Sequence, residues 1–545
     1  MKTLNPAVTE AKEQSSKARP AHWVNVCSTK DVPEGTTKVC RREGKQLAIF
    51  ALSDGYLACN NRCPHQGYPL SEGCMTEDGI LTCNWHNWKF DLKSNGKNLK
   101  GSESVRTYPL EVRGGDIWID VQDPPFEEQY SSLVGCLEKS VRDNSYDHIA
   151  RELSRLQLLG ADLTDLVAKA IEWTFDRLEY GWTHAYAGAA DWLTLFDAHM
   201  GDPEKQLICI LEAVGHMADD TLRRPRYPYT TNFRPYSSVE FLDAIEQEDE
   251  DKAVSLLRGA LDQGLHYPDL EEDLSSAALA HYNDFGHALI YVAKAGQLIA
   301  RLGEQSEMPI LLALTRSLVY TTREDQIPQF RHYSIVLNKW EACGNETTAR
   351  WQDFRDLSIN QSLEKTESSR SNDPTVIYEA LLAANANNML HFDLGFQDST
   401  TNNIDDNVGW LSFTHTLTFA NAVRSQCEKF PQLWPSALLQ MACFLGRNKP
   451  YVDLNSPQEN WSVSSPQAFY QDALEILFDH GKEEFIVSVH LLKTLLAART
   501  ESLHADVETR HLVTAAMNRF LGSPMKRKHV LRTVRQARQT AKLDL

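Results

Sequence analysis

Two textures divide the chain. From residue 22 to about 122, apolar residues come in short runs or alternate with polar ones, and tight-turn residues break the runs. Asp54-Gly55 separates two such runs in LAIFALSDGYLACN, and Gly114-Gly115-Asp116 separates two more in LEVRGGDIWIDV. Alternation interrupted by glycine-containing turns predicts β-hairpins, so this part is expected to be an antiparallel β-domain. After DPPFEEQY the apolar positions recur every three and four residues, as in HALIYVAKAGQLIARLG and ALLQMACFLG, which is the pattern of helices with a buried face. The polar or proline-rich stretches RRPRYPYTTNFRPYSS, EKTESSRSNDP and FQDSTTNNIDDN interrupt this pattern and are expected as loops, with lobes parting near 223–238 and 361–375. The predicted architecture is α+β and multidomain. It has a flexible segment over 1–21, the β-domain over 22–122, and an all-α domain of packed helix pairs over 123–545.

Composition narrows the function classes. A chain of 545 residues, 42% hydrophobic, can bury large cores. Its formal charge of -19 argues against a nucleic-acid partner, which needs a basic face. The one dense basic run, MKRKHVLRTVRQARQTAK, reads as a solvated helix near the end of the chain. The first twenty residues lack the apolar core of a signal peptide, and no later stretch offers 18 uncharged apolar residues, so a cytoplasmic protein without membrane contact is expected. The 11 cysteines form no dense framework and read as reduced thiols, apart from those a metal motif uses.

That motif is CPHQGYPLSEGCMTEDGILTCNWHNWKF. A Cys-x-His (Cys63, His65) is followed, 17 residues further on, by a Cys-x-x-His (Cys83, His86). Zinc sites usually pair two cysteines closely and two histidines separately, whereas here each loop offers one thiolate and one imidazole. The arrangement suits a [2Fe-2S] cluster with Cys63 and Cys83 on one iron and His65 and His86 on the other. The stretch resembles the Rieske family over residues 22–122, because CPHQGYPL and CNWHNWKFD…NG also match its flanking glycine, leucine and Trp-x-Phe positions. The extra cysteines that form a disulfide in respiratory-chain members are replaced by Tyr68 and Trp85. The resemblance therefore implies the ferredoxin and oxygenase subtype, with a potential toward the low end of the Rieske range. The glycine that usually follows the second histidine is Asn87, which is expected to alter a turn or a hydrogen bond beside the cluster. Cys74, between the loops, is expected to be a plain buried thiol.

A Rieske cluster passes single electrons, so the helical part is expected to use them. The usual acceptor pattern, Asp-x-x-His followed by a second His, is matched only in its first half by Asp284 and His287, since residues 288–295 hold no histidine. The strand-rich body of that catalytic domain is also missing, so the standard ring-hydroxylating architecture is not expected. Instead three segments look alike, THAYAGAADWL, GHALIYVAKAGQL and THTLTFANAVRSQ, each opening on a histidine and each followed by a further apolar helix. They place His184, His287 and His415 at equivalent positions, and His490 lies on a fourth histidine-bearing helix. Equivalent histidines on packed helices are expected to converge on one cavity, as catalytic groups and as ligands of a second, non-heme iron site. His216, four residues after Glu212, and His281, Asp284 and His287 around one turn are further candidates, although the Glu-x-x-His of di-iron bundles is absent. Taken singly, each histidine reads as a satisfied core or capping residue sooner than as a ligand. The segments HYNDFGHALIYVAKA, THTLTFANAV and SVHLLKTLLAA resemble the histidine-led helices of the questin oxidase-like family over about 150–520, which implies oxygen chemistry. Trp182, Tyr186, Trp192, Tyr291, Trp410 and Phe419 lie near these histidines in sequence and are expected as core or as pocket lining.

The leading reading is an O2-dependent monooxygenase or oxidase acting on a small organic molecule. An external reductase or ferredoxin would charge the cluster, and His65 or His86 would pass electrons on. The alternative is an electron-transfer or redox-sensing protein whose helical region docks a partner enzyme. Covalent heme and a Rossmann flavin domain are disfavoured by the lack of Cys-x-x-Cys-His and of a glycine-rich fingerprint, which leaves non-covalent heme open. Substrate, electron donor and oligomeric state are not legible.

Overall fold

The computed structural model describes residues 20–100, 103–455, 459–525 and 528–544. Of the flexible segment expected over 1–21, residues 1–19 thus lie outside the described residues. The chain divides into two compact units, Met1–Cys136 and Leu137–Leu545.

Among the described residues the first unit holds ten strands: β1 (Trp23–Ser28), β2 (Thr37–Arg42), β3 (Lys45–Leu52), β4 (Gly55–Asn60), β5 (Cys74–Met75), β6 (Ile80–Thr82), β7 (Lys89–Asp91), β8 (Lys97–Lys100), β9 (Leu110–Arg113) and β10 (Asp116–Asp120). They form three antiparallel sheets in the orders β1-β10-β9, β2-β3-β4 and β5-β6-β7-β8. Gly114 and Gly115, at φ 59° and 89°, make the two-residue turn between β9 and β10. Ser53-Asp54 makes the turn between β3 and β4, so that Gly55 opens the second strand. A third tight hairpin, at Glu43-Gly44, joins β2 to β3 with φ of 49° and 75°. Strand β3 is buried on both faces, which is why it reads as a continuous apolar run. Leu47, Ile49 and Ala51 pack with Val26, Ile117 and Ile119, while Ala48 and Phe50 face a second core holding Cys59, Leu81, Phe90 and the thiols of Cys63 and Cys83.

The second unit is helical, and four of its helices position the candidate histidines: His184–Ala198, His287–Leu302, Trp410–Lys429 and Phe485–His504. Each packs against two of the others, closing a ring in that order. Burial extends around most of their circumference. In the Trp410–Lys429 helix every residue from Phe413 to Ala420 is buried, as expected of a central helix rather than an amphipathic surface one. A second helix follows each: Pro203–Asp220, Glu307–Val319, Trp434–Asn448 and Val507–Gly522. The loop expected over 223–238 is helix-free up to Ser237. The one expected over 361–375 is largely helical, because Ile359–Ser368 and Pro374–Leu390 leave only residues 369–373 between them. Its polar residues are the solvent side of a helix that buries Ile359, Ser362, Leu363 and Thr366 and starts from a Ser358–Gln361 capping box.

Gly96 turns the chain from β7 into β8 at φ 71°, and a Cβ there would lie 1.9 Å from the carbonyl oxygen of Val105. Gly96→Ala is therefore expected to destabilise the first unit by about 2 kcal/mol or more through backbone strain and displacement of the Val105 backbone. Denaturant titration combined with amide exchange checks this, with faster exchange expected at Val105, whose N–H donates to Gly96.

Candidate metal centres

The two motif loops of the first unit are near copies. The Cys63 N–H donates to the Tyr68 carbonyl and the Cys83 N–H to the Trp88 carbonyl, both at 2.8 Å. The Gly67 N–H closes back on the Cys63 carbonyl, and the Asn87 N–H on the Cys83 carbonyl. Both closing residues are left-handed, Gly67 at φ 75° and Asn87 at φ 59°. The expectation that Asn87 alters the turn is thus corrected, since asparagine tolerates this conformation and keeps the hydrogen bond.

The loops bring four donors together. Cys63 and Cys83 are buried in the second core, 3% and 1% exposed, and burial, with Cys83 alongside, pushes the Cys63 thiol up to about 11. Such a thiol keeps its proton until a metal displaces it. The Nδ1 atoms of His65 and His86 lie 3.0 Å apart, each ring fixed by a stacked indole, Trp88 on His65 at 4.7 Å and Trp85 on His86 at 5.3 Å. Two thiols on the inner side and two convergent imidazoles on the outer side fit a [2Fe-2S] cluster with unequal irons. Tyr68 and Trp85 are in ring contact at 5.3 Å, so an aromatic pair ties the loops together, and all eleven cysteines are free thiols. His86 and Trp85 are exposed. Cys74 is exposed as well, which corrects the expectation of a buried thiol, because β5 lies at the edge of its sheet.

In the second unit the four helices of the ring aim His184, His287, His415 and His490 at one point. Successive Nε2 atoms are 3.1 Å (His184–His287), 2.9 Å (His287–His415) and 3.3 Å (His415–His490) apart. The ligand atoms of His184, His287 and His415 all lie within 4.8 Å of one another. The backbone sets the tautomers. Nδ1 of His415 lies 2.5 Å from the Leu411 carbonyl and Nδ1 of His490 lies 2.6 Å from the Ile486 carbonyl. A carbonyl only accepts, so both Nδ1 atoms carry the proton and both Nε2 atoms present lone pairs to the centre. Burial, reinforced by the Lys493 charge, holds His184, His415 and His490 well below the ordinary histidine value and therefore neutral. Lys493 is itself buried, with Nζ 3.2 Å from Nε2 of His415. Phe285 stacks on His415 at 5.5 Å, and Tyr291 lies 5.5 Å from His287.

The family model for the Rieske [2Fe-2S] domain matches residues 22–109. The ferredoxin component of the alkene monooxygenase system of Xanthobacter autotrophicus is 30% identical over 105 residues, 19% of this chain and 86% of that protein. This chain belongs to the Rieske family. The ferredoxin subunit of the 3-phenylpropionate/cinnamic acid dioxygenase of Escherichia coli K12 is 35% identical over 103 residues, 18% of this chain and 94% of that protein. The ferredoxin of carbazole 1,9a-dioxygenase from Nocardioides aromaticivorans is 21% identical, covering 19% of this chain and all of that one, with a TM-score of 0.18. The Rieske domain carries a [2Fe-2S] cluster, and the set of donors on Cys63, His65, Cys83 and His86 fits one.

The other candidates do not join the four convergent imidazoles. His281 bridges Asp325 on one ring nitrogen, at 3.1 Å, and Glu246 on the other, at 2.9 Å. It was expected to share a helical turn with His287, but Phe285 at φ 54° and Gly286 at φ 75° break the helix between them. The side chain of Asp284 lies outside the described residues. Glu212 accepts from Tyr146, His480 and Ser488 and does not join His216, which stacks on Phe485 at 5.2 Å. Of the six aromatics, only Tyr291 contacts a histidine of the centre; Trp192 and Trp410 are core, and Phe419 packs on Phe444 and against Gly286. Sequence reasoning missed Lys493, although it stands three residues after His490 on the same helix face, and the Leu411 and Ile486 carbonyls, which carry no side-chain signal.

Two outcomes are expected. Cys83→Ser abolishes the visible absorption of the cluster, whereas Cys74→Ser leaves it intact; iron and sulfide assays on both variants check this. The Asp325 hydrogen bond and the Glu246 partner raise His281 above its ordinary value. Its contribution to stability is then complete below pH 6.5, the unfolded value, and is lost as pH rises through the higher folded value. Thermal unfolding of His281→Asn beside the wild type should show the difference between them shrinking above pH 6.5.

Proposed function

We propose that this protein is a Rieske-dependent oxygenase, a monooxygenase or oxidase, whose helical unit holds a non-heme iron on His184, His287 and His415, with His490 as a fourth imidazole. The observation that carries the reading is the convergence of four imidazoles on one point, two of which, His415 and His490, are buried and neutral with Nε2 lone pairs facing one another. Two lone pairs 3.3 Å apart repel, and a cation at their focus turns that repulsion into coordination. Imidazole is a suitable ligand for iron, and ferrous iron supplies one-electron chemistry with O2, in the unit a Rieske cluster delivers.

The chain's own groups do the rest. The Leu411 and Ile486 carbonyls hold two of the imidazoles by their outer nitrogens and fix their direction. Phe285 and Tyr291 cover the centre with apolar surface and limit water at it. His184 lines an open cleft of about 550 Å³, through which a small organic substrate could reach the centre. The similar ferredoxins serve a monooxygenase and a dioxygenase system as separate components, so an external reductase is the expected donor here, too. The questin oxidase-like resemblance of the helical segments points to oxygen as well. That the similar proteins are ferredoxins favours a second reading, an electron carrier whose helical unit docks an enzyme. A closed histidine centre has no task in that reading.

Single-turnover kinetics separate the two. When protein with a fully reduced cluster is mixed with O2, the wild type is expected to reoxidise at least tenfold faster than His184→Ala/His287→Ala/His415→Ala. The cluster spectrum of that variant should be unchanged. Equal rates would leave the carrier reading.

A further inference from the structure

The cleft at His184 has a second feature, which the oxygenase reading does not use. Its charged lining is Asp219, Asp220, Glu483 and Glu484, with no lysine or arginine, and His216 completes the wall. His216 is 96% buried, as its residual exposure of 4% shows, yet among the described residues neither ring nitrogen makes a hydrogen bond, and its one ion-pair contact is with Asp220. Oδ1 of Asp220 lies 3.7 Å from Nε2. The other oxygen of Asp220 accepts from the Thr183 hydroxyl at 2.5 Å, and Thr183 caps the helix that begins at His184. Phe485, stacked on His216 with ring planes 10° apart, fixes the imidazole toward the cleft. The Glu484 carboxylate, at the N-cap of the His490 helix, has no hydrogen-bond or ion-pair partner among the described residues.

A buried imidazole without a hydrogen bond, facing carboxylates across a gap slightly too long for one, matches a position for a cation. Nitrogen and oxygen donors about 2.1 Å from a common tetrahedral ion lie about 3.4 Å apart, close to the separation found here. Burial, the dominant influence, keeps His216 below its ordinary value and thus available as a donor. Two firm donors with water in the remaining positions bind a metal loosely, and the convergent imidazoles beyond His184 bind it tightly. An electronegative mouth concentrates divalent cations by its field and repels anions.

We propose that this cleft is the metal-loading port of the helical unit, in which His216 and Asp220 take up a hydrated divalent cation and pass it by ligand exchange to His184 and the histidine centre. The inference rests on the reading that this centre binds a metal. No electron moves in the transfer. The cation sheds water as each imidazole replaces it, and its charge stays within the site.

Stopped-flow loading of the full chain tests the port. Helical-site metal is removed with a chelator that spares the cluster, and Co2+ serves as the probe. Wild type is expected to take up one Co2+ per chain beyond the cluster, at a rate that falls with rising salt. In Asp219→Asn/Asp220→Asn/Glu484→Gln and in His216→Leu, the rate should fall at least tenfold while the final Co2+ content stays the same. The triple variant should also lose the salt dependence, a change that misfolding would not mimic with the end-point preserved. Unchanged rates in both variants would overturn the port and leave the metal centre standing. No Co2+ uptake by wild type would overturn the centre and the port together.

Discussion

Lone pairs facing lone pairs in a dry interior are the constraint around which the helical unit is arranged. A buried nitrogen without a partner costs about 1–3 kcal/mol, and the Nε2 atoms of His415 and His490, 3.3 Å apart, cannot satisfy one another while their outer nitrogens carry the protons. The Leu411 and Ile486 carbonyls hold those outer nitrogens. His184 and His287 stand at the first position of their helices, where Thr183 and Gly286 are the caps. The second cap is strained. Phe285 and Gly286 are both left-handed, and a Cβ on Gly286 would lie 2.2 Å from the Phe419 ring. Arg447 lies 3.7 Å over the Phe285 ring, on the aromatic that stacks against His415. Strain of this kind persists only where the surroundings over-determine it.

The two sets of convergent donors are built in opposite ways. In the Rieske domain the donors sit on turns, closed by positive-φ residues at Gly67 and Asn87, with thiols inside and imidazoles outside. His86 is exposed, so a cluster held by these donors would be reachable from solvent there, which suits electron exchange. In the helical unit the donors sit on helices packed on nearly every side, and His184 is the member that reaches a cleft. An outward centre suits a carrier of electrons, and an inward one suits chemistry from which water must be kept.

Much of this was legible in the residues. The spacing of Cys63, His65, Cys83 and His86, together with the flanking glycine, leucine and Trp-x-Phe positions, carried the resemblance to the Rieske family, and the Gly114-Gly115 dipeptide marked its turn. The likeness of three histidine-led segments pointed to one centre, because equivalent positions on stacked helices face the same interior. What stayed hidden depends on backbone that composition does not reveal. His281 missed the centre because Phe285 leaves the helical region and destroys the phase between His281 and His287. The 361–375 segment looked like a loop because its polar residues dominate, although Leu363 and Thr366 are enough to bury one face. Cys74 looked internal from its place between two ligand loops, but an edge strand exposes it.

The central claim is that one chain holds two separate iron sites, and the most direct measurement is the ratio of iron to acid-labile sulfide. Full-length protein would be purified anaerobically, loaded with ferrous iron, desalted and assayed beside its His184→Ala/His287→Ala/His415→Ala variant. The account predicts iron in excess of sulfide in the wild type, about three to two, and equal amounts in the variant, with the same cluster spectrum in both. Equal iron and sulfide in the loaded wild type would contradict it and leave the Rieske cluster as the only iron the chain binds.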